Sequence, residues 1–394
     1  MYGSIPCTTP GPATSQVFYD IGGVTMGPFR RTGSGYRRPI GSDEPSREAE
    51  RILHTALAGV FGEVAAREAA AQWGYGPGAD LELLGVSENA TYLLREGGRE
   101  PAVLRLNRPG YHRRDEIASE LAWTAALRQA GVVRTPRAIP TNAAEPLARL
   151  PPRGTDLPRH AVLFAYARGE HPADDPRARL AEMAEIGAIA ARLHAHARSW
   201  NPPPGFCRFS WGLSAALGDG PAQPGRWGDW RIGLGNTERA VVQRAESQVR
   251  QALSTYGCAP ARCGLIHADL RAANLLTDIS PSGERRVTVI DFDDCGPSWF
   301  FYDLAASMSF LEHHRELPAL VSNWLAGYRQ SASVAAADLA ALPSLVMLRR
   351  LQLQAWSSSH ADTEMVHSLG PSFAAETMDV ADRYLGARLL DGAN

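Results

Sequence analysis

The sequence predicts an α+β protein of two lobes: a small lobe built on an antiparallel sheet with one key helix, and a larger, mainly helical lobe. Three observations carry this. Short apolar runs broken by Gly and Asn crowd residues 81–110, three- and four-residue apolar spacing dominates after about residue 166, and 394 residues suit two lobes better than one core.

In order, residues 1–46 are rich in Gly, Pro, Ser and Thr, show neither helical nor strand period, and read as a poorly ordered extension. The small lobe is expected over 47–165. A helix starts in "REAERILHTALAGVF", and "LELLGVSENATYLLREGGREPAVLRLNRPG" reads as a hairpin or meander of short strands. "RRDEIASELAWTAALRQAG" sets Ile117, Leu121, Thr124 and Leu127 at helical spacing, with Asp115 as N-cap and Gly131 as the stop. "HAVLFAYARGEHP" supplies the strand that closes the lobe.

The large lobe, 166–394, holds helical patterns in "ARLAEMAEIGAIAARLHAHA", "TERAVVQRAESQVRQALSTYG", "FYDLAASMSFLEHH" and "LPSLVMLRRLQLQAWSSSH". Between the first two lies a Gly- and Pro-rich stretch carrying Trp200, Trp211, Trp227 and Trp230. It is either a functional loop or a cover wrapped on the body.

A net charge of −2 and a pI near 6.6 argue against nucleic-acid or anionic-membrane partners. All 40 basic residues are Arg, so lysine chemistry is excluded. The five cysteines are scattered without a CxxC pair, which suggests neither a disulfide framework nor a zinc ribbon and fits a reducing cytoplasm. Neither a signal peptide nor a membrane-spanning run is expected.

The chemistry concentrates in "GLIHADLRAANLL" (264–276) and "VTVIDFDDCG" (287–296). An apolar run leads into His267, Asp269 and Asn274, and strand alternation through Val287 and Val289 delivers Asp291. These residue types suit phosphoryl transfer to a hydroxyl. A carboxylate orients the nucleophile and accepts its proton, while an amide and a second carboxylate hold a hard cation on the phosphates.

"HADLRAANLL", "VIDFDDCG" and "YDLA" resemble the aminoglycoside phosphotransferase and choline kinase-like superfamily, built on the protein-kinase fold. "VLRLNRPGYHRRDEIASELAWTAAL" and "IDFDDCG" are most similar to its bacterial homoserine-kinase-type and stress-response-kinase-type branch. The resemblance implies Asp269 as base, Asn274 and Asp291 as Mg²⁺ ligands, and His267 and Asp303 as supports of the loop, Asp303 being equally a helix cap. It implies Glu120, with Glu116 as rival, in an ion pair to the third strand, and the backbone of Ala165 and Ala167 against adenine. Ser87 and Asn89 of "GVSENATY" would reach phosphates. The pairing position, normally Lys, is Arg105 here, which still offers a bidentate fork of different geometry. Asp293 stands where protein kinases have Gly, and Asp293 or Asp294 would either add to the metal shell or cap the turn.

The implied co-substrate is ATP or GTP with Mg²⁺. The acceptor is a small-molecule hydroxyl on an amino sugar, amino alcohol or antibiotic-like compound, with Trp211, Trp227, Glu312 and His313 as candidate contacts. Ten Asp and Glu against six Arg after residue 300 suit a cationic acceptor or simply a solvated face. A Ser/Thr protein kinase, which the Trp-rich stretch would obstruct, and a nucleotide-binding pseudokinase, motivated by Arg105, are the alternatives.

Overall fold

The computed structural model describes residues 60–393, apart from 87, 154–155, 173–174, 221–222, 224, 361–363 and 371. The extension at 1–46, most of the helix expected from residue 47, and Ser87 lie outside the described residues.

In the small lobe, strands β1 (Asp80–Val86), β2 (Asn89–Arg95), β3 (Ala102–Asn107), β6 (Arg159–Ala165) and β4 (Ala138–Ile139) lie side by side in that order, with β5 (Ala148–Leu150) also on β6. Every pairing is antiparallel. Period-two alternation turns Ala90, Tyr92 and Leu94 of β2, and Ala102, Leu104 and Leu106 of β3, onto one buried face with Trp73. Helix α1 (Glu63–Ala70) buries Ala65, Ala66, Ala69 and Ala70 and packs against β1, β3 and β5. The alternation leaves Arg105 on the opposite face, across from Thr91 and Val162.

Helix α2 (Arg114–Gln129) joins the lobes. Ile117 and Leu121 pack with Val162 of the sheet, whereas Trp123 and Leu127 enter the large-lobe core. Its N-cap is Arg113, not Asp115: the Arg113 N–H donates to Glu116 Oε2 at 2.9 Å, so an acidic residue in the first turn satisfies the cap from inside the helix. Gly131, at φ +66°, ends it as expected.

In the large lobe, α3 (Pro176–Ser199) lies against α7 (Leu317–Tyr328) so closely that a Cβ on Gly187 would sit 2.0 Å from the Trp324 carbonyl oxygen, and one on Gly327 1.8 Å from that of Ala184. Helix α8 (Ala336–Ser359) contacts α4 (Leu213–Leu217), α5 (Asn236–Tyr256), α6 (Tyr302–Ser307) and α10 (Ser372–Leu385); a short α9 (Glu364–Leu369) precedes α10. Two hairpin-like pairs, β7 (Cys263–Ile266) with β10 (Gly296–Trp299) and β8 (Leu275–Ile279) with β9 (Arg285–Val289), carry the chemistry-bearing loops.

Three sequence expectations are corrected. The helix expected across 301–314 stops at Ser307, and Phe310 then takes a left-handed φ of +67° that a helix cannot continue through. Strand alternation does not reach Asp291: β9 ends at Val289 and Asp291 itself turns at φ +62°. A chain without disulfides is overturned by Cys258–Cys263, whose Cα atoms come within 5.4 Å where α5 gives way to β7; sequence spacing alone says nothing of that turn. Cys295 is free and buried. The Trp-rich stretch wraps the body as a cover, with Trp211, Trp227 and Trp230 all buried. No helix of the described residues is long and apolar enough to cross a membrane.

Candidate active site

The loop leaving β7 is fixed by a carboxylate beneath it. Asp303, fully buried at the start of α6, accepts the backbone N–H groups of His267 (3.2 Å) and Ala268 (2.7 Å). Those bonds hold Ala268 at φ +68°, a conformation that costs an L-residue energy and needs such restraint. Asp303 also takes His194 Nε2 at 3.0 Å, and His194 Nδ1 meets the Tyr328 hydroxyl at 3.1 Å. Burial keeps the His194 pKa below its ordinary value despite the pull of Asp303, so a neutral ring donates from Nε2 and accepts at Nδ1.

His267 bridges two loops. Its Nδ1 accepts the Asp269 N–H (3.3 Å), so Nε2 carries the proton and donates to the Ile290 carbonyl at 3.1 Å. One imidazole thus ties the Asp269 loop to the residue before Asp291.

Asp269 is almost saturated. Its Oδ2 accepts Asn274 Nδ2 (2.8 Å) and Arg271 Nε (3.1 Å); its Oδ1 accepts Arg349 Nη2 at 2.6 Å. Burial alone would raise its pKa, but the Arg271 and Arg349 charges and His267 outweigh it and hold the carboxylate below the usual Asp range. One lone-pair direction on Oδ1 remains for a substrate hydroxyl.

Arg349 was not among the residues expected from sequence. Buried on α8, it also donates to Ser309 Oγ (2.8 Å) and the Tyr302 hydroxyl (3.3 Å), and the Trp227 ring lies 5.0 Å from its Cζ. The available signal was α8 itself: "LVMLRRLQLQAW" is apolar on every face, so an Arg within it must be buried and paired.

Asn274 spends its Nδ2 on both the backbone and side chain of Asp269, leaving Oδ1 as the ligand atom. Asp291 is exposed to the cleft, with protein crowded around it. Partial loss of water around it, then Asp293 and Asp269, push its pKa above the usual range against the pull of Arg105. Burial likewise raises Asp293, which accepts Asn89 Nδ2 at 2.6 Å, and Asp294, which accepts the Tyr111 hydroxyl at 2.7 Å. Crowded carboxylates beside an amide oxygen fit a hard divalent cation. Among the described residues no three His, Cys, Asp or Glu are grouped as a metal cage.

Across the cleft, Arg105 Nη1 and Nη2 pair bidentately with Glu120 at 2.9 and 2.7 Å, both side chains being buried; Glu116 is occupied at the helix N-terminus instead. Arg105 Nε is buried without a partner. A cavity of about 360 Å³ adjoins the pair, with Val103, Leu276 and Ile290 as apolar walls and Ala165 and Ala167 at its edge. The Ala165 N–H is consumed by the Arg137 carbonyl (2.8 Å), so it has no proton to offer a base. Asn89 lines this cavity and spends its Nδ2 on Asp293, and Glu88 beside it accepts Trp356 Nε1 (2.9 Å) and lies 3.2 Å from His360 Nε2, pinning the β1–β2 turn to the end of α8.

The remaining expected contacts are placed differently. Trp211 donates to the Asp294 carbonyl (2.8 Å) and Trp227 to the Tyr111 hydroxyl (3.0 Å). Glu312 is fully buried against Arg350, and His313 lies 3.5 Å from Glu376, so neither is gathered with Asp269.

With this geometry in hand, residues 81–342 match the model of the phosphotransferase enzyme family. The chain belongs to that family. An aminopropanol kinase associated with a microcompartment is 42% identical, covering 84% of this chain and 99% of its own, with a TM-score of 0.73. An amicoumacin kinase solved with AMP-PNP, Ca²⁺ and amicoumacin shares the fold at 18% identity and a TM-score of 0.61, covering 86% of this chain and 96% of its own. An uncharacterized protein of Deinococcus radiodurans is 28% identical over 305 residues, 74% of this chain and 84% of that protein. This phosphotransferase is therefore a small-molecule kinase of the aminoglycoside phosphotransferase and choline kinase-like superfamily.

Proposed function

We propose that this kinase transfers the γ-phosphoryl group of ATP or GTP to the hydroxyl of a small amino alcohol, an aminopropanol-type compound being the first acceptor to test. The observation that carries the reading is the convergence of Asp269, Asn274 and Asp291 on one cleft beside the Arg105–Glu120 pair. The 42% identity to an aminopropanol kinase supports the acceptor class.

In this reading the open Oδ1 direction of Asp269 receives the acceptor hydroxyl. The hydroxyl oxygen bonds to the γ-phosphorus, the bond from that phosphorus to the β–γ bridging oxygen breaks, and the hydroxyl proton passes to Asp269. Because Arg271 and Arg349 keep Asp269 a weak base, its main contribution is orientation, with proton transfer late in a loose transition state. Asn274 Oδ1 and Asp291 would hold Mg²⁺, which neutralises charge on the β- and γ-phosphate oxygens when bound. Arg105, fixed by Glu120, would face the phosphates.

The test is phosphoryl transfer from Mg-ATP and Mg-GTP to aminopropanols, ethanolamine, choline, homoserine, aminoglycosides and a generic protein, read by product mass. A phosphoryl gain on an amino alcohol is expected. Phosphate on protein alone, or on an antibiotic with amino alcohols untouched, would refute the proposed acceptor.

A further inference from the structure

A groove of about 820 Å³ adjoins the nucleotide cavity, and both count Thr135, Pro136, Ala165, Tyr166 and Ala167 in their walls. Seven arginines line the groove against three carboxylates. Arg285 is held bidentately by Glu185 (2.5 and 2.9 Å), and Arg286 by Asp278. Arg128 and Arg192 donate to the carbonyls of Thr135 and Val132, bonds that neutralise no charge. That leaves Arg134, Arg137 and Arg168 in the lining against one further carboxylate, Glu284.

The excess is felt within the groove: burial and then the charges of Arg137 and Arg134 lower the pKa of Arg128. In a chain of net charge −2, the seven arginines come from four separate segments and meet only in the fold. Guanidinium forks match phosphate oxygens bidentately, and the volume is that of a small-ligand site.

We infer that this groove is a second anion site, for a small multiply charged phosphate compound, placed back to back with the nucleotide across the Ala165–Arg168 segment. A ligand drawing Arg137 or Arg168 inward acts on the same backbone that borders the adenine side of the cavity, so occupancy of the two sites is linked.

The test is independent of catalysis. Tripolyphosphate is titrated calorimetrically into protein saturated with AMP-PNP, which fills the cleft and leaves the groove. One saturable site is expected, weakened about tenfold or more in Arg134→Ser/Arg137→Ser, as for lost charge-assisted bonds, and unchanged in the exposed control Arg244→Ser. AMP-PNP affinity should shift with tripolyphosphate in a manner the double variant loses. An unsaturable titration, or one indifferent to the double variant, overturns the site. An AMP-PNP affinity that responds identically in wild type and double variant overturns the linkage. Tighter Arg134- and Arg137-dependent binding of an oligonucleotide or acidic peptide overturns the small-ligand assignment.

Discussion

Arg349 and Arg105 are the residues that most distinguish this site. Because Arg349 lowers the pKa of Asp269, Arg349→Ala should raise it and move the Asp269-dependent acid limb of kcat/KM to higher pH while turnover falls. A pH profile of the variant checks this; a coincident acid limb would mean that Arg349 only packs. Arg105→Lys replaces two Nη bonds to Glu120 with a point charge, so KM for ATP should rise about tenfold or more. Steady-state kinetics at varied ATP would show it, and improved turnover would mark Arg105 as a drifted Lys. At this scale the sequence was legible where chemistry is local: Asp269, Asn274 and Asp291 fall within 23 residues. Arg349 was not, because a bond across 80 residues leaves no mark in spacing.

Among elements, the crossing of α3 and α7 has the least slack. Substituting Ala at Gly327 or Gly187 forces backbone against backbone, with no flexible side chain to yield. Each variant should lose about 1–3 kcal/mol of stability, measured by denaturant unfolding; unchanged stability would show that the helices can slide apart freely. The helices and the strands of 81–107 were readable from period, since each buries one face against a core. Element ends were less so: Phe310 terminates a run whose apolar spacing continues past it, and Glu116, not Asp115, secures the start of α2.

For the whole molecule, the two lobes are held by α2 and by Glu88, which reaches Trp356 on α8 and His360 just past its end. Burial raises the Glu88 pKa, but the bond and charge of His360, the Trp356 bond and Arg108 overcome it and bring it from 4.5 to about 2. A depressed carboxylate stabilises the fold above its unfolded pKa and loses that contribution as pH falls. Glu88→Gln should therefore melt earlier than wild type at neutral pH, with the gap narrowing from about pH 4.5 towards 2; a constant gap across that window would remove the ion pair from the account. Net charge was silent on interlobe contacts and on the arginine groove alike, since a sum of −2 hides where charges meet.

The most direct test of the site is Mg-ATP binding and phosphoryl transfer measured together in wild type, Asp269→Asn and Asp291→Asn. Asp269→Asn should bind Mg-ATP as wild type does while transfer falls by about 10²–10⁴, and Asp291→Asn should lose the metal-dependent part of binding. Full turnover in Asp269→Asn, or intact Mg-dependent binding in Asp291→Asn, would contradict the assignment.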